Sequence, residues 1–150
     1  MDFDLVLAIA HHLAVFTLVA LLGIELALLR PGLGGARVSQ LAAIDAAYGG
    51  IAGLVIVVGV LRVIFGANGW QYYVANQMFW GKMGAFLILG LLTIPPTMAI
   101  RRWLKAGQGV ADYTVPAVEI ATSQRYLYLQ GGIVALIPMF AAAMARGYGV

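Results

Sequence analysis

Four charged side chains and two histidines lie within long apolar stretches of this 150-residue sequence. An ionisable group at the centre of a bilayer costs roughly 2.5–3.5 kcal/mol on insertion scales, so we treat each as a candidate functional residue that faces the interior of a helix bundle. Imidazole can bind haem iron, carboxylates can relay protons, and Lys or Arg can pair with anionic groups. The candidates are His11, His12, Glu25, Asp45, Arg62 and Lys82.

Their depths along the expected helices separate these residues into two layers. The histidines lie about six residues into the first helix, roughly 10 Å from the end where the chain begins. Arg62 near the end of the second helix and Lys82 near the start of the third lie at the same end of the bundle. Glu25 and Asp45 lie near the opposite end. The sequence therefore predicts a layer of histidines and cations and a separate layer of carboxylates.

The histidine layer favours a haem b site, because imidazole is a common axial ligand and the cations can pair with propionates. Two adjacent residues point about 100° apart on a helix, so His11 and His12 cannot bind opposite faces of one macrocycle. They are the only histidines, which excludes a bis-His haem within one chain. We favour His12 as the axial ligand because its face carries Gly23, where a flat ring has room. His11 is the second choice.

The sixth ligand stays open among Lys82, Met78, Met83 and a histidine of a second subunit. A zinc or copper site is weaker, since two histidines without cysteine supply too few ligands for a closed site.

Each candidate also has a structural interpretation. The histidines can hydrogen-bond to neighbouring helices or face interfacial water, and Arg62 and Lys82 can extend to the headgroups. Glu25 and Asp45 can form a proton route towards the cytoplasm. They can equally form ion pairs with basic residues in the loop that follows the first helix, Arg30 and Arg37.

Composition specifies the elements that must hold these residues. The chain is 63% hydrophobic and 10% charged, whereas a soluble domain is about 45–50% apolar and about 25% charged. It is therefore expected to be an all-α integral membrane protein without nucleic-acid partners. Residues 1–150 are predicted to form a single transmembrane domain, a four-helix transmembrane bundle with helices at about 5–29, 41–65, 78–100 and 126–145.

The basic residues indicate how this bundle is oriented. Most of them flank alternate loops, and the positive-inside rule places those loops in the cytoplasm. Both termini are therefore expected on the outer side of the membrane. The residues that set this orientation are Arg30, Arg37, Arg101, Arg102, Lys105 and Arg125.

Three short motifs occur in order along the chain: His11-His12 with Gly23, the second-helix pattern Asp45, Gly53, Arg62, and Trp80-Gly81-Lys82. These motifs resemble those of a group of small bacterial membrane proteins, which contains an uncharacterised family of about this length, the haem-containing membrane protoporphyrinogen oxidase family and the copper-resistance protein D-type family. The resemblance implies a four-helix bundle with haem b, in which the first-helix histidine (His11 or His12) and Lys82 are functional. It also implies a bacterial inner membrane, with both termini on the periplasmic side.

We therefore expect a haem b-binding membrane protein with an electron-transfer or oxidoreductase role. Its redox partner would be a quinone, a porphyrinogen or an oxygen species. Lys82 is the candidate catalytic residue, while Arg62 is expected to position an anionic group. The alternatives are a cofactor-free, proton-coupled transporter and a structural subunit of a membrane complex. A homo-oligomer is compatible with each of these three interpretations.

Overall fold

Four long helices have the length and hydropathy needed to cross a membrane. The computed structural model describes residues 2–149, and within them the chain forms only α-helices, turns and one isolated β-bridge. The all-α membrane bundle predicted from composition is confirmed. The helices are α1 (Phe3–Leu28), α2 (Ala36–Phe65), α3 (Gly69–Ala75), α4 (Gln77–Ala106) and α5 (Ala117–Ala145).

The long helices form a closed ring in the order α1, α2, α4, α5. The closest pairs are α1 with α2 and α4 with α5, while α2 also packs against α4 and α1 against α5. Short connections join consecutive long helices, which makes neighbours in the ring antiparallel. Residues from all four helices meet in one buried apolar cluster, which includes Leu18, Leu22, Leu41, Leu89 and Leu127.

Three helix ends extend beyond their predicted positions at one end of the bundle, which we call the basic end because Arg30, Arg37, Arg101, Arg102 and Lys105 lie there. Here α2 begins at Ala36, α4 ends at Ala106 and α5 begins at Ala117. The extra turns contain polar residues that hydropathy does not assign to a membrane. A helix of 30 residues is about 45 Å long and exceeds the roughly 30 Å hydrocarbon core.

A side-chain cluster stabilises the added first turn of α5. Glu119 accepts hydrogen bonds from Arg102 at 2.5 Å and from the indole N–H of Trp103 at 2.6 Å. Trp103 is 1% exposed, so this contact anchors the start of α5 to the last turns of α4. The loops at the same end pair through a bridge between Gly34 and Thr114.

At the other end, which we call the histidine end, a single asparagine holds the start of α4. Asn76 is fully buried, its Oδ1 accepts a hydrogen bond from the Met78 N–H at 2.8 Å, and its Nδ2 donates to the Tyr148 carbonyl at 3.2 Å. The short helix α3, which hydropathy does not predict, leads directly into this cap. Asn76 thus fixes the first turns of α4, which carry Lys82.

Large apolar side chains cover the outside of the bundle. Phe16 is 71% exposed, Leu87 66% and Met139 65%. A soluble protein rarely exposes such a continuous apolar surface, whereas a bilayer solvates it.

Candidate functional site

A cavity of about 210 Å³ lies between the four long helices at the histidine end. Its lining is apolar except for His11 from α1 and Lys82 from α4. Exposed side chains of Ile56, Val60 and Met83 form part of its wall, so the cavity opens towards the lipid. An apolar pocket with a few convergent polar groups is the usual form of a small-molecule site.

His11 is the half-buried imidazole of this cavity. Its ring lies beside Gly59 of α2, where a Cβ would stand 3.5 Å from the His11 Cε1 and 3.9 Å from Nδ1. Among residues 2–149, no group forms a hydrogen bond with the buried Nδ1. An unsatisfied buried polar atom costs about 1–3 kcal/mol, which makes this ring a candidate ligand-binding group.

His12 points away from the cavity. Its side chain is exposed, and its Nδ1 lies 2.7 Å from the carbonyl oxygen of Ala8 on the same helix. Gly23 is also exposed, and a Cβ there would meet no atom within 4 Å. The expectation that the face of His12 and Gly23 lines a cofactor pocket is wrong, because the inward face of α1 is the one that His11 shares with Leu18.

Lys82 enters the cavity from the second turn of α4. Its Nζ lies 5.7 Å from the centroid of the Phe79 ring, one turn earlier on the same face. Gly81 explains the Trp-Gly-Lys sequence in structural terms, since a Cβ there would stand 2.9 Å from Cε1 of Phe140 on α5. The missing side chain lets α4 and α5 approach closely, and this contact positions Lys82.

Arg62 lies close enough for its charge, like that of Lys82, to act on the His11 ring. Its Nε is buried and unpartnered within the part of the chain that the structure describes. The structure therefore brings together His11, Arg62 and Lys82 from three helices. Of the two methionines considered as sixth ligands, Met83 lines the cavity, whereas Met78 lies beside the chain end near Gly149.

The two carboxylates form a second polar layer deeper in the bundle, towards the basic end. Glu25 is 2% exposed and Asp45 8%. The Thr97 hydroxyl of α4 donates a 2.6 Å hydrogen bond to Asp45 Oδ1. Tyr48, one turn after Asp45 on α2, is 3% exposed and close enough to feel the charge of both acids.

The alternative that pairs these acids with loop arginines is wrong. Arg30 instead donates its Nε–H to the Ala27 carbonyl at 3.0 Å, and Arg37 is exposed outside the bundle. Within residues 2–149, the ion pair that forms is Arg102 with Glu119. Glu25 and Asp45 are therefore buried without a basic partner in contact.

Sequence reasoning missed three residues of these layers. Gly59 carries no chemical signal, although it lies three residues before Arg62 and therefore on the same face. Tyr48 lies three residues after Asp45, a spacing that predicts a shared helix face. Thr97 follows Pro95-Pro96, which drew attention to the backbone of α4 and not to its hydroxyl.

Four apolar spans around an interior polar site define a polytopic membrane protein. A family model described as "Predicted membrane protein (DUF2214)" matches residues 3–149, so the chain belongs to this family. No curated protein and no solved structure matches the chain. The family description names no cofactor, reaction or partner, and it provides no link to the haem-containing families.

Proposed function

We propose that this protein binds one haem b at the cavity of the histidine end and has an electron-transfer or oxidoreductase role in a bacterial inner membrane. The observation that supports this most is His11, an inward-facing imidazole whose buried Nδ1 has no partner among residues 2–149. His11 replaces His12 as the proposed axial ligand, because only His11 lines the cavity.

The surrounding groups fit the chemistry of a haem. Lys82 and Arg62 provide two cations near the imidazole, and haem propionates are anionic. Lys82 and Met83 are the cavity residues able to approach the iron from a second side. A bound haem would supply one-electron chemistry, while the chain would supply the axial ligand, the charge balance and the apolar walls.

The volume of the cavity restricts how a haem is held. At about 210 Å³ it is smaller than the roughly 300–1,000 Å³ of typical ligand pockets. The cavity is open on the lipid side, where its wall is formed by the exposed side chains of Ile56, Val60 and Met83. Part of the haem macrocycle would therefore extend from the cavity into the lipid. We therefore propose a laterally open haem site, which a lipid-soluble redox partner such as a quinone can approach within the bilayer.

The proposed topology places this site on the periplasmic side. The basic residues that flank alternate loops favour the cytoplasm for the other end of the bundle. Labelling of intact cells with a membrane-impermeant thiol reagent tests this topology. A cysteine inserted directly after Gly69 is expected to react, whereas Gln108→Cys is expected to be protected.

The test of haem binding is the absorption spectrum of protein purified in mild detergent from haem-sufficient cells. We expect a Soret band that shifts on dithionite reduction. His11→Ala is expected to remove at least about 90% of this band, because loss of the axial ligand leaves the macrocycle held by apolar contacts and charge alone.

His12→Ala is the matched control, since it removes a neighbouring imidazole that does not line the cavity. It is expected to retain the band. A colourless wild-type preparation that stays colourless with added hemin contradicts the proposal. Loss of the band in His12→Ala with retention in His11→Ala contradicts the ligand assignment.

A further inference from the structure

The two carboxyl groups of the carboxylate layer, Glu25 and Asp45, are almost fully buried and have no basic partner in contact that would stabilise their ionised forms. Glu25 and Asp45 are 2% and 8% exposed, and no basic side chain contacts either of them within residues 2–149. Burying an ionised carboxylate without a partner costs several kcal/mol, so such a group normally becomes neutral by taking up a proton. Two neighbouring carboxyl groups add repulsion when both are ionised.

The hydrogen bonds distinguish the two acids. Asp45 accepts a hydrogen bond from the Thr97 hydroxyl at 2.6 Å, and the charge of Arg101, one turn further along α4, also reaches it. Both interactions favour its ionised form. The Glu25 side chain, by contrast, takes part in none of the side-chain hydrogen bonds within residues 2–149. A single proton shared by this pair therefore belongs on Glu25.

Tyr48 provides an independent observation. It is 3% exposed, its hydroxyl lies buried near both acids, and it forms no hydrogen bond within residues 2–149. A buried phenol without a partner is costly. Its O–H can donate to a carboxylate when one forms nearby, so this side chain is suited to stabilise the charge left when a proton departs.

We propose that Glu25, Asp45 and Tyr48 form an intramembrane proton-binding site in which Glu25 carries an exchangeable proton. This goes beyond the proposed haem function and does not depend on it. The charged and titratable groups that act on the site are Glu25 from α1, Asp45 and Tyr48 from α2, and Arg101 from α4. The buried polar side chains of α5, Ser123 and Gln130, are neutral.

The burial of the proposed site limits the size of any ligand that it can bind. Glu25, Tyr48 and Asp45 are between 2% and 8% exposed, in contrast to His11 and Lys82 of the open cavity, which are half-buried. No group of three or more His, Cys, Asp or Glu residues suited to a metal ion occurs within residues 2–149. A proton neutralises the Glu25 carboxylate and, unlike a metal ion, needs no further ligands.

Infrared spectroscopy of the protein in lipid nanodiscs tests this site directly. We expect a protonated-carboxyl carbonyl band at neutral pH that shifts in D₂O, disappears in alkaline buffer and returns on neutralisation. Glu25→Gln is expected to remove this band, and Asp112→Asn, which alters an exposed loop acid, is expected to retain it. Tyr48→Phe is expected to keep the band and to raise the pH at which it disappears, because the phenol can no longer donate to the carboxylate that forms.

Each result decides for or against the proposal. Absence of the band at neutral pH in wild-type protein, or its persistence in Glu25→Gln, overturns it. If Glu25→Gln does not fold, Tyr48→Phe decides, and an unchanged pH for the disappearance of the band counts against the site. Loss of the band when sodium replaces choline at fixed pH identifies a sodium site and also overturns the proposal.

Discussion

The histidine end and the carboxylate layer are built on the same face of α1 but differ in charge, access and size. His11 and Glu25 lie fourteen residues apart, close to four turns and about 21 Å. Around His11 the other charged groups are basic and the cavity opens to lipid. Beside Glu25 of α1, the neighbouring charged group on α2 is the acidic Asp45, and both side chains are almost fully buried.

This difference shows what each region can bind. An open apolar cavity with two cations suits a large apolar ligand that carries negative charge. A closed site with two carboxyl groups suits a ligand as small as a proton. Leu18 and Leu22 lie between them on α1 and are 2% and 7% exposed, so an apolar layer separates the two regions. Substitutions in one region are therefore expected to leave the other unchanged.

Lys82→Gln is expected to give the largest effect of the substitutions that test this separation. A hydrogen bond to a charged group contributes about 1.5–3 kcal/mol, so losing the ammonium should weaken haem binding by about 10- to 100-fold. Hemin titration of the apoprotein measures this change. The carbonyl band assigned to Glu25 should remain.

Lys105→Gln is the control for Lys82→Gln, because Lys105 lies on the same helix but is exposed at the basic end. It is expected to bind hemin like the wild type. Equal weakening by both substitutions would mean that net charge, and not the position of Lys82 in the cavity, attracts the ligand.

Thr97→Val tests the carboxylate layer with an intermediate effect. It leaves Asp45 Oδ1 without its hydroxyl donor while keeping a similar side-chain volume. We expect a loss of about 1–3 kcal/mol in the free energy of unfolding in mixed micelles, with an unchanged Soret band.

Thr93→Val is the matched control on α4, since the Thr93 hydroxyl donates only to the Gly90 carbonyl of its own helix. Its cost should be no more than about 0.5 kcal/mol. If the two valine substitutions destabilise the protein equally, Thr97 contributes nothing specific to Asp45.

Hydropathy predicted the four spans because each contains a long apolar run, and it was least accurate where side-chain contacts extend a helix. The first turns of α5 are polar in sequence, yet Glu119 fixes them through Arg102 and Trp103. The start of α4 was predicted to within one residue, at 78 against Gln77, although the buried amide of its cap, Asn76, has no hydropathic signature. Both ends depend on contacts between residues distant in the chain or on a local cap.

The candidate site was predictable in its membership but not in its orientation. Charge scarcity singled out His11, Arg62 and Lys82, and the structure brings them together. The face that carries His12 and Gly23 was predicted to point inward, whereas both residues are exposed, because small residues in a membrane helix can equally face lipid. The helical spacing of His11, Leu18, Leu22 and Glu25 along α1, which puts them on one face, is the sequence signal that would have favoured His11.

The smallest effect is expected from Gly59→Ala, which tests the contact between α2 and the His11 ring. The added Cβ would stand 3.5 Å from the His11 Cε1, an ordinary van der Waals distance, so the ring need not move. The loss in the free energy of unfolding should be smaller than the cost of an overpacked core, which is about 1–3 kcal/mol, and hemin affinity should change by less than about tenfold. Gly23→Ala is the control, since its Cβ would meet no atom within 4 Å. If Gly59→Ala abolishes binding while Gly23→Ala does not, the ligand itself occupies the space beside Gly59.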